Sequence, residues 1–236
     1  MKLVGWRYWA GVGLLAGTYF GTARLGLMMD AVSGFATLVW PPTGISLVAL
    51  LLLGYRLWPG IALGALLVNW SIGAPFFTAC GVGMGNTLEA LIGAYLVQRW
   101  GGSPFSLGRV QGMLALVLLA GLLSTLISAT IGVTSLWLGG RILLSAFGAT
   151  WIAWWMGDLL GNLVVAPLLL TWTSGSRPRI SLRRFAEATV LAVALLAVGI
   201  IAFWGSSESI FIPPYLTFPL LTWAAMRFGP RRNCRS

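Results

Sequence analysis

Hydrophobic residues follow one another along this chain in runs close to the ~20 apolar positions that a bilayer-spanning helix needs. Eight runs are read, at roughly 6–28, 33–54, 57–72, 76–98, 109–136, 141–172, 182–204 and 211–227. The connections between them are short and carry Gly or Pro, as in Trp58-Pro59-Gly60, Gly73-Ala74-Pro75, Gly101-Gly102-Ser103-Pro104 and Pro213-Pro214. Such residues end helices. The pattern predicts an all-α fold, a polytopic integral membrane bundle of about eight transmembrane helices. The first run is too long for the apolar part of a signal peptide and lacks a cleavage pattern, so it reads as a retained span.

Composition strengthens this picture. Of 236 residues, 58% are hydrophobic and only 8% are charged, against roughly 25% charged in a soluble domain. A soluble globule could not wet its surface with so few charges. The formal net charge of +10 would suggest nucleic acid if the charges were clustered on a soluble face. With alternating sides, however, 13 of the 15 basic residues fall on one side of the membrane, and only Arg24 and Arg141 fall on the other. The positive-inside rule then places both termini in the cytoplasm. The expected partner of these arginines is anionic lipid, with no nucleic acid. Glycine recurs at spacings of four: Gly13, Gly17 and Gly21; Gly60 and Gly64; Gly81 and Gly85; Gly157 and Gly161. That spacing puts glycines on one helix face and lets backbones approach. By itself it does not establish dimerisation, and a homodimer stays open.

Polar residues inside the runs are few. A carboxylate at mid-membrane costs about 2.5–3.5 kcal/mol on insertion scales. Asn86 and Glu89 stand three apart in the fourth run, on one helix face. Trp151, Trp154, Trp155, Asp158 and Asn162 form a stripe in the sixth. No Lys or Arg lies at mid-depth, so Glu89 and Asp158 must carry protons, accept hydrogen bonds, line a wet cavity or hold a cationic ligand. A purely structural link between the fourth and sixth runs is the competing reading. In the second run, Trp40-Pro41-Pro42-Thr43-Gly44 frees backbone groups that must be buried in protein or face a cavity. It reads either as a kink or as the wall of an outward-facing pocket, with Asn69 facing the same region. No matching break is evident in the sixth run, as an inverted-repeat transporter would require.

Catalysis finds little support. There is no His, and Cys80 and Cys234 form no CxxC pair; no metal site or cofactor is expected. HExxH and GxSxG are absent. Gly157-Asp158 resembles half of an intramembrane aspartyl site, but Asp30, the only other Asp, lies near the outer end of the first run, and Glu89 would be a possible but strained partner.

The motifs also resemble a family. Leu38-Val39-Trp40-Pro41-Pro42-Thr43-Gly44-Ile45, Leu53-Gly54-Tyr55-Arg56-Leu57-Trp58-Pro59-Gly60, Gly85-Asn86-Thr87-Leu88-Glu89-Ala90, Gly132-Val133-Thr134-Ser135-Leu136, Trp154-Trp155-Met156-Gly157-Asp158, Ala166-Pro167-Leu168-Leu169-Leu170 and Arg227-Phe228-Gly229-Pro230 occur in order. Together they are similar to the membrane-associated sensor domain of the MASE-one type, found at the N-termini of bacterial histidine kinases and of diguanylate cyclases or phosphodiesterases. The resemblance implies a non-enzymatic eight-helix input module over 1–230. A kinase or cyclic-di-GMP output domain would follow. Here residues 231–236 form a basic cytoplasmic tail without one, which implies either a piece of a longer chain or a stand-alone member acting through a partner protein. The resemblance carries over no catalytic residues and names no stimulus.

The expectation is a bacterial membrane sensory domain. An unknown small-molecule or protein stimulus would shift helix packing around Trp40, Thr43, Asn69, Asn86, Glu89, Trp151, Trp155, Asp158 and Asn162. The alternatives are a small-molecule or ion transporter using Glu89 and Asp158, and a docking module for a protein partner.

Overall fold

The computed structural model describes residues 5–28, 34–37, 39–102, 107, 109–174, 186–187, 189–191 and 193–194. The chain divides into two compact units, Met1–Gly175 and Ser176–Ser236. In the second unit the described residues are helical positions between 186 and 194. Most of the seventh run, all of the eighth and the tail at 231–236 lie outside the described residues.

Within the first unit the chain forms α1 (Trp6–Leu27), α2 (Pro41–Leu53), α3 (Trp58–Ser71), α4 (Phe76–Trp100), α5 (Val110–Leu138) and α6 (Leu144–Thr173). Among the described residues there is no strand. Three of these helices, α4, α5 and α6, are long and apolar enough to cross a membrane. Helix borders follow the punctuation. Gly54, Gly73, Gly102 and Gly140 lie in the connections after α2, α3, α4 and α5, each with positive φ. Only glycine adopts that backbone at no steric cost.

The second run departs from expectation. Helix α2 starts at Pro41 and has 13 residues, about 20 Å at 1.5 Å per residue, short of the ~30 Å hydrocarbon core. The prolines begin the helix rather than kink it. They occupy its first two positions, where no backbone N–H is needed, and a residue before proline is pushed out of the helical region. Trp40 accordingly has φ −112° and ψ 88°. Phe35, Ala36, Thr37 and Trp40, ahead of the helix, are buried in non-helical chain.

Two further departures occur within helices. Ala115–Leu123 in α5 and Gly161–Val165 in α6 are π-helical, a wider winding that often marks functional positions. The second lies just before Pro167, whose missing N–H and ring already disturb regular hydrogen bonding there.

Close packing at glycine holds α1 against α3. A Cβ on Gly60 would sit 2.8 Å from the Val12 carbonyl oxygen, and one on Gly64 would sit 2.7 Å from Tyr19 Cβ. The same device brings α4 to α5, where Ser135 lies over Gly81 and Ile131 over Gly85. Gly13, Gly17 and Gly21 differ: no described atom lies within 4 Å of the Cβ that each lacks.

Candidate functional site

The polar residues buried at mid-bundle gather where α2 begins between α4, α5 and α6. Glu89 lies 13 residues into α4 and Asp158 14 residues into α6, each about 20 Å along its helix. They are 2% and 1% exposed, so neither carboxyl is open to bulk water. Their side chains lie within hydrogen-bonding reach of one another. The pairing that looked strained from sequence is thus made, because α4 and α6 carry the two acids at matching depth.

Donors converge on this pair. Thr43 Oγ1 donates to Asp158 Oδ1 at 2.7 Å. Ser128 of α5 is within hydrogen-bonding reach of both carboxyls. It also accepts from Trp154 Nε1 at 3.1 Å and reaches Asn86 Oδ1 at 3.5 Å. Asn86 Nδ2 donates back to Val82 O of its own helix at 2.9 Å. Asp158 meets a side chain from the first turn of α2, and the helix dipole favours negative charge at that end of a helix.

Backbone contact between α2 and α6 makes this arrangement possible. The Trp40 N–H donates to the Gly157 carbonyl at 2.9 Å. A Cβ on Gly157 would collide with the Thr37 carbonyl oxygen, and one on Gly161 with that of Trp40. Gly44 faces Gly161 equally closely, and its Cβ would stand 2.8 Å from Val165 Cβ. The paired glycines of α6 therefore form a bare face on which the chain leading into α2 lies main chain to main chain. Gly132 does the same for a side chain: its missing Cβ would lie 2.8 Å from the Trp154 indole. The motifs at 40–44, 86–89, 132 and 154–158 thus meet at one junction.

The remaining candidates divide. Asn162 Nδ2 donates to Ala120 O at 2.8 Å, and Trp155 Nε1 to Leu122 O at 3.3 Å. Both acceptors lie in the π-helical stretch of α5, so α6 side chains take up carbonyls there. Trp151 donates to Thr130 Oγ1 at 3.2 Å and stacks on Trp155, centroids 6.0 Å apart and planes at 22°. These two indoles are half-buried beside the deeper Trp154, Asp158 and Asn162. Trp40 is packed in the core and donates from Nε1 to Tyr19 Oη at 3.4 Å. Asn69 is buried with its amide on Ala65 O of its own helix at 2.8 Å, away from the hydrogen bonds of the junction.

Ser128 was not singled out from sequence. A signal for it exists: Ser124, Ser128, Gly132 and Ser135 recur at spacings of four and three in an apolar helix, a small and polar stripe facing its neighbours. Four buried oxygens meet no hydrogen-bond partner among the described residues: Ser46 Oγ, Glu89 Oε1, Asp158 Oδ2 and Asn162 Oδ1. Such atoms are costly when left alone; two belong to the acids of the junction, and Asn162 and Ser46 lie one turn along from Asp158 and Thr43. Two grooves lie elsewhere. One of about 410 Å³ runs between α3 and α4 past Cys80 and Met84, and one of about 700 Å³ between α1 and α3 past Gly13 and Gly17.

No curated protein and no solved structure matches this chain. The family model MASE1 matches residues 3–233, a range that takes in every residue of the junction. The chain belongs to the MASE1 family of membrane-associated sensor domains.

Proposed function

We propose that this protein is a signal-input domain of a bacterial inner membrane, crossing it eight times with both termini in the cytoplasm. In this reading it performs no catalysis. Its output is a change in helix packing read by a cytoplasmic kinase or cyclic-di-GMP domain, in the same polypeptide or in a partner. The observation that carries the reading is the junction itself. Family motifs scattered over more than a hundred residues converge on two buried carboxyls at the start of a half-length helix. In this reading the junction has two packings, and a stimulus acts by binding one of them better.

The test uses the chain fused to a diguanylate cyclase. Glu89→Gln and Asp158→Asn are expected to change cyclase output while membrane insertion stays intact. Output equal to the parent in both variants would reduce the junction to a structural link. Accessibility of single cysteines placed at the two termini and in each connection checks the eight spans.

A further inference from the structure

Two observations at the junction conflict unless something lies between the acids. Glu89 and Asp158 are within hydrogen-bonding reach of one another, yet Glu89 Oε1 and Asp158 Oδ2 meet no donor among the described residues. An ionised carboxylate is acceptor-only, with no hydrogen to give. Two of them in contact, deep in an apolar bundle, repel strongly.

We propose that Glu89 and Asp158 bind one exchangeable proton between Glu89 Oε1 and Asp158 Oδ2, so that the pair carries a single negative charge.

The surroundings suit that charge and no metal ion. Among the described residues, the side chains bonded to Asp158 from outside the pair are able to donate: the Thr43 hydroxyl to Asp158 Oδ1, and the Ser128 hydroxyl and Trp154 indole beside it. The N-terminus of α2 adds its dipole. Donors and a positive helix end stabilise one carboxylate but would oppose a metal cation. Titratable groups from other packed elements are few. Tyr19 of α1 lies near both acids, and its hydroxyl accepts from Trp40. Helices α2 and α5 face the pair with hydroxyls only, Thr43 and Ser128. Among the described residues no Lys or Arg contacts either acid. Asn162, one turn along α6 from Asp158, leaves its buried Oδ1 unpartnered.

This deepens the switch described above and rests on it only for the link from proton occupancy to output. Infrared difference spectroscopy on the full chain in nanodiscs, in H₂O and D₂O at neutral pH, tests the site directly. The expected result is one carbonyl band of a protonated carboxyl, shifted down in D₂O and indifferent to replacing potassium with sodium. The band should vanish in Glu89→Gln, whose amide N–H takes the proton's place, and in the double variant with Asp158→Asn. Glu187→Gln should leave it unchanged. Absence of the band in the parent protein overturns the proposal without reference to any variant. So does its loss on adding sodium at constant pH, which would identify a metal ion as the occupant, and so does its persistence in the double variant. A band that behaves as expected beside an unresponsive cyclase fusion upholds the proton site and removes only its role in signalling.

Discussion

The contact of α1 with α3 and the contact of α2 with α6 use the same device for different ends. Both rest on glycines four apart, Gly60 and Gly64 in one case and Gly157 and Gly161 in the other. At α1 the neighbours of the glycines mix main chain and apolar side chain: the Val12 carbonyl and Leu15 at Gly60, Tyr19 and the Ala16 carbonyl at Gly64. At α6 they are the main-chain carbonyls of Thr37 and Trp40, joined by the Trp40 N–H bond to Gly157. A contact between two helices that carries no hydrogen bond can yield by a small slide of one on the other. A backbone contact that also positions the first turn of a helix over a carboxyl cannot. Small-residue spacing by itself therefore does not separate adhesive from mechanism; what lies opposite the glycines does.

Substitutions grade the difference. Gly161→Val places a Cβ on the Trp40 carbonyl, with backbone on both sides and nothing flexible to move. It is expected to cost about 3 kcal/mol or more and to displace α2, measured by thermal unfolding in detergent and by loss of folded yield. Thr43→Val keeps the shape but removes the donor to Asp158 Oδ1. A lost hydrogen bond to a buried charged group should cost about 2 kcal/mol, and the change should alter cyclase output as well. Gly64→Ala meets Tyr19 Cβ at 2.7 Å and should cost about 1–3 kcal/mol as α1 and α3 shift apart, with output unchanged. Gly17→Ala, with no described atom within 4 Å, should move stability by less than about 0.5 kcal/mol. If Gly64→Ala changed output as strongly as Thr43→Val, the contrast between the two contacts would fail.

Much of this was legible in the sequence, for physical reasons. Apolar run length marks helices in a bilayer, and the borders of α1, α3, α4, α5 and α6 follow it closely. The same criterion misplaces the start of α2. Residues 34–40 are as apolar as a helix, and only the two prolines reveal that the helix begins at Pro41. Glu89, Asp158, Asn86 and Asn162 stand out because polar groups are costly in an apolar medium, so their rarity is itself a signal. Their mutual contact was not legible, since helix spacing places residues on a face but does not say which face meets which. Ser128 was hidden because a serine in a membrane helix ordinarily returns its hydroxyl to its own backbone, as Ser124 does to Ala120 O. The π-helical stretches carry no sequence mark beyond the proline after the second.

The decisive measurement is the output of the cyclase fusion through a double-mutant cycle at Glu89 and Asp158. If the two carboxyls act as one unit, Glu89→Gln and Asp158→Asn each change output, and the double variant differs little from the stronger single one. Output that equals the parent in all three variants, or effects that simply add, would show that the acids do not work as a coupled switch.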